Sequence, residues 1–173
     1  QGLYYDDVND IIFSTEHGPD GGDEINYNIE PLKNIKNYGW PISSYGWHYG
    51  LYTKLFVGPD HELEMMLQEP DKYGISDHLY VDSPLYKSHL KYGFEEPLYY
   101  YDPSIGISQL IKINLNKNID NHEIIVSSMG YPQEVNQGDM SLHYFNLNKN
   151  LDIIEKDIYT LNERVRDMII NNK

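Results

Sequence analysis

Glu16-His17-Gly18-Pro19-Asp20-Gly21-Gly22-Asp23-Glu24-Ile25-Asn26 is the stretch on which the fold turns. It joins two runs of strand character. Residues 10–15 end in Ile-Ile-Phe-Ser-Thr, and residues 24–29 alternate apolar and polar side chains, the period of a half-buried strand. Between them, glycines admit positive φ, and the proline fixes a bend while keeping only its carbonyl as a polar backbone group. Calcium takes six to eight oxygens from carboxylates and carbonyls. The carbonyls of Gly18 and Pro19, with the carboxylates of Asp23 and Glu24 just beyond, are compatible with such a site. The spacing is not that of an EF-hand loop. A solvated acidic hairpin turn is the other reading, and the residues alone leave both open.

Outward from this turn, the same pattern of short strands and Gly/Pro/Asn punctuation recurs. Further strands are expected at residues 109–113, 123–127, 141–145 and 152–158, with an aromatic turn at Asn37-Tyr38-Gly39-Trp40-Pro41. Residues 51–95 form a long irregular insert with one helix candidate, residues 60–67, where Asp60 follows a proline and can cap. Seventeen tyrosines and the absence of long Ala-rich stretches favour strands over helices. The fold class expected is all-β, with sandwich, barrel and propeller all compatible with the strand spacing.

Composition bounds the function. At 173 residues the chain reads as one domain or a piece of a larger one. Thirteen Lys+Arg against 27 Asp+Glu give a net charge of -14, which argues against a nucleic-acid partner. No run approaches the length of a membrane span. Cysteine is absent, excluding disulfides, Cys-bound zinc and thiol catalysis.

Several motifs then occur in a fixed order: Gln1-Gly2-Leu3, the 16–26 stretch, Asn37-Tyr38-Gly39-Trp40-Pro41 with Ser44-Tyr45-Gly46, Asp102-Pro103-Ser104-Ile105-Gly106-Ile107-Ser108, and Glu163-Arg164-Val165-Arg166-Asp167. Together they resemble the soluble quinoprotein sugar dehydrogenases of the glucose/sorbosone dehydrogenase family. The resemblance implies a six-bladed β-propeller carrying pyrroloquinoline quinone (PQQ) and calcium. It implies oxidation of an aldose at the anomeric carbon to a lactone, with an electron acceptor as a further partner. Residue by residue, it places the carbonyls of Gly18 and Pro19 on the cofactor-bound calcium, and Glu24 and the carbonyl of Tyr38 on a structural calcium. Arg164 and Arg166 would pair with quinone carboxylates, as the planar guanidinium is suited to do. Gln1, His17 and Ser104 would line the same pocket, and Tyr101 stands where relatives carry a stacking Trp.

The departures set further expectations. The family's Arg-Asn pair before Gln1 and its upstream general-base histidine lie outside this sequence, and Gly130 stands where a cofactor lysine is usual. The chain, residues 1–173, therefore reads as about the C-terminal half of a propeller, inactive without its N-terminal part. Its full-length form is expected in the periplasm or secreted. The alternative is a non-catalytic propeller that binds calcium or a carbohydrate, and a purely structural β domain is a third reading. His17 is weighed as a base and read as a pocket wall. His61-Glu62-Leu63-Glu64-Met65 lacks the second histidine of a zinc-protease helix. In a strand, Arg164 and Arg166 would share a face. The competing reading pairs them with Glu163 and Asp167 on the surface.

Overall fold

The computed structural model describes residues 1–18, 22–39, 43–45, 89–90, 93–102, 104–115, 121–130 and 140–171. Pro19, Trp40, Trp47, the helix expected at residues 60–67, and His48, His61 and His78 lie outside them, as does most of the 51–95 insert.

Eight strands form two sheets. The first contains β1 (Leu3–Asp6), β2 (Ile11–Glu16), β3 (Asp23–Ile29) and β4 (Tyr99–Tyr101), in spatial order β1-β2-β3-β4. The second contains β5 (Ile107–Ile113), β6 (His122–Ser128), β7 (Ser141–Leu147) and β8 (Ile153–Thr160), in order β5-β6-β7-β8. All neighbours are antiparallel. Each sheet is therefore an up-and-down meander, the form expected of a propeller blade. All the described regular structure is strand.

Alternation decides which face is buried. Ile11, Phe13 and Thr15 are buried along β2, and Thr15 pairs with Ile25 of β3. On the second sheet, Ile124 and Val126 pair with Phe145 and His143, giving a face with Leu110 and Leu147. The two faces meet in one core, with Tyr99 against Phe145 at 5.2 Å between ring centroids and Tyr101 edge-on to His143 at 5.0 Å. Each fully buried Phe, Ile or Leu here contributes about 1.5–3 kcal/mol. β8 lies at the sheet edge, and Glu155, Lys156 and Asp157 guard it against pairing with another chain.

Strand direction fixes where the loops go. The β2–β3 turn, the β4–β5 connection and the segment after β8 emerge at one end of the two sheets, as the antiparallel pairings require. At the opposite end, Asp6 of β1 ion-pairs with Lys112 of β5, accepts from Asn9 Nδ2 at 2.8 Å, and lies 3.6 Å from His122 Nδ1. Six strands follow the expected segments; β1 and β4 are additional. Residues 161–171 are not a strand, so the one-face argument for the two arginines does not apply.

Candidate functional site

The end that carries the turn is tied together by hydrogen bonds between distant segments. Asp23 is their centre. Its side chain is 1% exposed, and its carboxylate accepts from Gly18 N at 3.2 Å and Ser104 Oγ at 3.0 Å. Ile105 N, Gly106 N and Ile107 N donate to the other oxygen at 3.1, 2.8 and 3.1 Å. The β4–β5 connection curls its amides around this carboxylate, and Gly106, at φ +64°, permits the curl. This corrects the sequence reading. Asp23 serves as an internal anion facing amides and is not oriented toward a cation.

The same end collects the other motifs. The Gly2 amide donates to Thr15 Oγ1 at 2.6 Å, and Thr15 Oγ1 donates to Ser108 O at 2.5 Å. The ring Nε2 of His17 hydrogen-bonds the carbonyl of Ile107. A carbonyl only accepts, so Nε2 carries a proton and donates it. Ser108 Oγ donates to Val165 O at 2.5 Å, and Val165 N donates to Ser128 O at 3.3 Å. Val165 is thus pinned to the second sheet with Arg164 and Arg166 on either side. Both arginines are exposed, and among the described residues neither has an ion-pair partner, which removes the pairing with Glu163 and Asp167. Gln1 is exposed beside Gly2, where an added Cβ would lie 2.7 Å from Ser108 O. Gly130, at φ +76°, donates its N–H to Ile105 O at 2.9 Å and touches Gly106. The left-handed φ explains glycine there.

On the other face of the first sheet, Glu16, His17, Gly18, Gly22, Glu24, Tyr38, Ser43 and Ser44 line a cavity of about 10 Å3. That is room for one water-sized particle. Gly18, Glu24 and Tyr38, expected at two calcium positions, share this one space. Glu16 and Glu24 face each other across the β2–β3 pair. Burial and then Glu24 raise the Glu16 carboxyl above its ordinary value. The Tyr38 phenol is pushed up to about 12 by burial, then by Glu95 and Glu16. His89 Nε2 lies 3.2 Å from Glu24 Oε1. Burial alone would lower the His89 value, but Glu24, then Glu96, outweigh it and raise it. The Ser43 hydroxyl is buried with no hydrogen-bond partner among the described residues. An oxygen-lined space with two facing carboxylates and an orphaned hydroxyl fits a hard cation such as calcium. Sequence reading missed Ser43, which sits beside the irregular insert where no periodicity marks it, and gave His89 an ordinary surface or core role because it shows no ligand spacing.

Tyr101 and Ser104 are placed differently. Ser104 spends its hydroxyl on Asp23. Tyr101 points into the interface between the sheets and lines a second, larger groove of about 680 Å3. That groove runs along β4 and is flanked by Tyr45, Tyr99, Tyr100, Asp102 and Lys156, with the Lys156 ammonium 4.1 Å from the Tyr99 ring centre. The structure does not bring Tyr101 to the small cavity.

Comparison with known proteins gives matches of one kind. Residues 1–74 match the family model described as "Glucose / Sorbosone dehydrogenase". The chain is 25% identical over 168 residues to the uncharacterized protein slr1608 of Synechocystis, covering 97% of the chain and 31% of that protein. Over 49 residues it is 45% identical to the aldose sugar dehydrogenase YliI of Escherichia coli, covering 28% of the chain and 12% of that protein. Among solved structures it is similar to the apo-form of the soluble aldose sugar dehydrogenase of Escherichia coli. That match has a TM-score of 0.57 and 21% identity, over 96% of this chain and 37% of the other. A glucose dehydrogenase structure matches at TM-score 0.53 and 21% identity, over 92% and 34%. These likenesses show the fold: the chain is all-β, and its sheets are blades of the β-propeller kind. The chain spans about a third of the length of the relatives it matches from end to end.

Proposed function

We propose, from a kinship with the glucose/sorbosone dehydrogenases that covers residues 1–74, that the tied end of the two sheets is the cofactor end of a quinoprotein sugar oxidoreductase. The observation that supports this most is the convergence of four separated segments, residues 1–2, 16–18, 104–108 and 164–166, through one chain of hydrogen bonds. When bound, a calcium-held PQQ would supply the acceptor for the hydride of an aldose anomeric carbon, leaving a lactone.

The chain's own residues do the rest. Glu24 and the Gly18 and Tyr38 backbone would hold the cation in their cavity. Arg164 and Arg166, without ion-pair partners among the described residues, would grip carboxylates of the quinone bidentately, with Val165 anchored between them to keep the spacing. His17, with Nε2 committed to Ile107, would act as a wall of the pocket. No described histidine is placed as a general base beside these groups. The chain covers about a third of its relatives' length, and we place the base in a longer protein, periplasmic or secreted, of which this is a part. Alone, the 173 residues would bind PQQ without oxidising sugar.

A second reading, a carbohydrate-binding propeller without catalysis, is favoured by the tyrosine-lined groove of about 680 Å3. Equilibrium dialysis of PQQ against the chain, with and without calcium, separates the two. The oxidoreductase reading expects calcium-dependent retention that falls at least about tenfold in Arg164→Ala/Arg166→Ala, a loss near 1.4 kcal/mol. Retention unaffected by both arginines contradicts it. Aldose binding with no PQQ retention would favour the second reading.

A further inference from the structure

The small cavity brings together a hydroxyl and two carboxylates, which among the described residues share only Asn26 Nδ2 as an amide donor (3.3 Å from Glu24 Oε2). Glu16 stands directly opposite Glu24 in the β2–β3 register. Like charges directly opposite on one sheet face repel. His89 answers Glu24 from one side, at 3.2 Å. Ser43 lies on another wall, 2% exposed, and its hydroxyl oxygen has no partner among the described residues. Its position is not slack. The Ser43 amide donates to Gly39 O at 2.8 Å, and Gly39 sits so close that an added Cβ would come within 2.8 Å of the Ser43 Cβ. The backbone thus holds a buried hydroxyl at a cavity sized for a single particle.

The chemistry narrows what that particle is. A water molecule would satisfy the hydroxyl but leave the two facing carboxylates, among the described residues, with only the Asn26 amide and the His89 ring to offset their repulsion. A soft metal would call for thiolate or several imidazoles, and among the described residues His17 is the one histidine lining the cavity, its Nε2 committed to Ile107. A hard dication meets all the demands: it neutralises both carboxylates and accepts a neutral hydroxyl oxygen among its ligands. We propose that Glu16 and Ser43 are direct ligands of a calcium ion in this cavity, alongside Glu24. The proposal rests on the calcium reading above and adds two ligands to it.

A ligand role and a packing role predict opposite behaviour, which makes the test sharp. Melting of the 173-residue chain is followed by calorimetry in chelator and across a series of calcium chloride concentrations. In chelator, Ser43→Ala and Glu16→Gln are expected to melt at or above the parent temperature, since an orphaned hydroxyl and a carboxylate repulsion have been removed. With calcium the order reverses. The concentration giving half the stabilising shift rises about threefold or more in Ser43→Ala and about tenfold or more in Glu16→Gln, because a ligand stabilises in proportion to its affinity for the native state. Variants that respond to calcium like the parent, or that melt lower in chelator, overturn the ligand assignment and leave the calcium reading intact. A parent chain with no calcium response overturns both.

Discussion

Asp23 ties the β2–β3 turn to the β4–β5 connection, and that role was invisible in the sequence. Beside Glu24 in an acidic turn it looked like a cation ligand; strand alternation instead sends the two carboxylates to opposite faces, and Asp23 meets amides from a segment 80 residues away. A long-range partner of this kind leaves no local signal. Asp23→Ala strands four backbone amides, those of Gly18, Ile105, Gly106 and Ile107, and the Ser104 hydroxyl, and buried donors without acceptors cost about 1–3 kcal/mol each. We expect a loss of at least about 3 kcal/mol in urea unfolding; a loss under about 1 kcal/mol would show that the amides find other acceptors. Gly106→Ala should cost about 1–2 kcal/mol, because a side chain at φ +64° is strained and its Cβ would meet Gly130 O at 3.1 Å. That Gly18 and Glu24 lie close together was legible, because both flank one short turn; that Ser43 and Ser44 close the same small cavity was not, because they come from a distant segment.

The strands were legible where alternation ran over five or more residues. Residues 24–29 and 141–145 are contained in β3 and β7. β4 was not, since three consecutive tyrosines carry no contrast between faces, and only the partner strand decides that Tyr101 is buried and Tyr100 is 40% exposed. The pairing of one sheet with the other also rests on a charged cluster at the end away from the site, and this gives a pH signature. Burial would raise the Asp6 carboxyl, but Lys112 and Asn9 outweigh it and hold it below the ordinary carboxylate value. Burial, then Lys112, lowers His122 below its ordinary 6.5. Both signs run the same way. Stability from His122 is complete above 6.5 and falls as the pH drops toward its lowered native value, because the unfolded chain takes up the proton first. The Asp6 contribution follows at lower pH, lost as the pH falls through its depressed native value. His89, raised in the native state, contributes with opposite sign, so the useful quantity is a difference. The gap in urea midpoint between the parent and His122→Gln should narrow as pH falls from 7 to 5; a gap independent of pH would remove His122 from the account.

For the molecule as a whole, the division into two four-stranded meanders follows from turn chemistry and short strands, while their identity as propeller blades came from motif order and is supported by the structural likenesses. What the sequence alone left open was which end of the blades gathers the motifs. Antiparallel pairing puts the 16–23 turn, the 102–106 connection and the 161–171 segment at one end, and puts Tyr101 between the sheets beside the larger groove. A cation and a quinone would therefore act at that end, away from the groove. Hydrogen–deuterium exchange of the chain with and without calcium and PQQ tests it most directly. Slowed exchange is expected at residues 16–18, 104–108, 128–130 and 164–166, and little change along β4 and β8. Unchanged exchange at that end, or protection centred on the tyrosine groove, would contradict it.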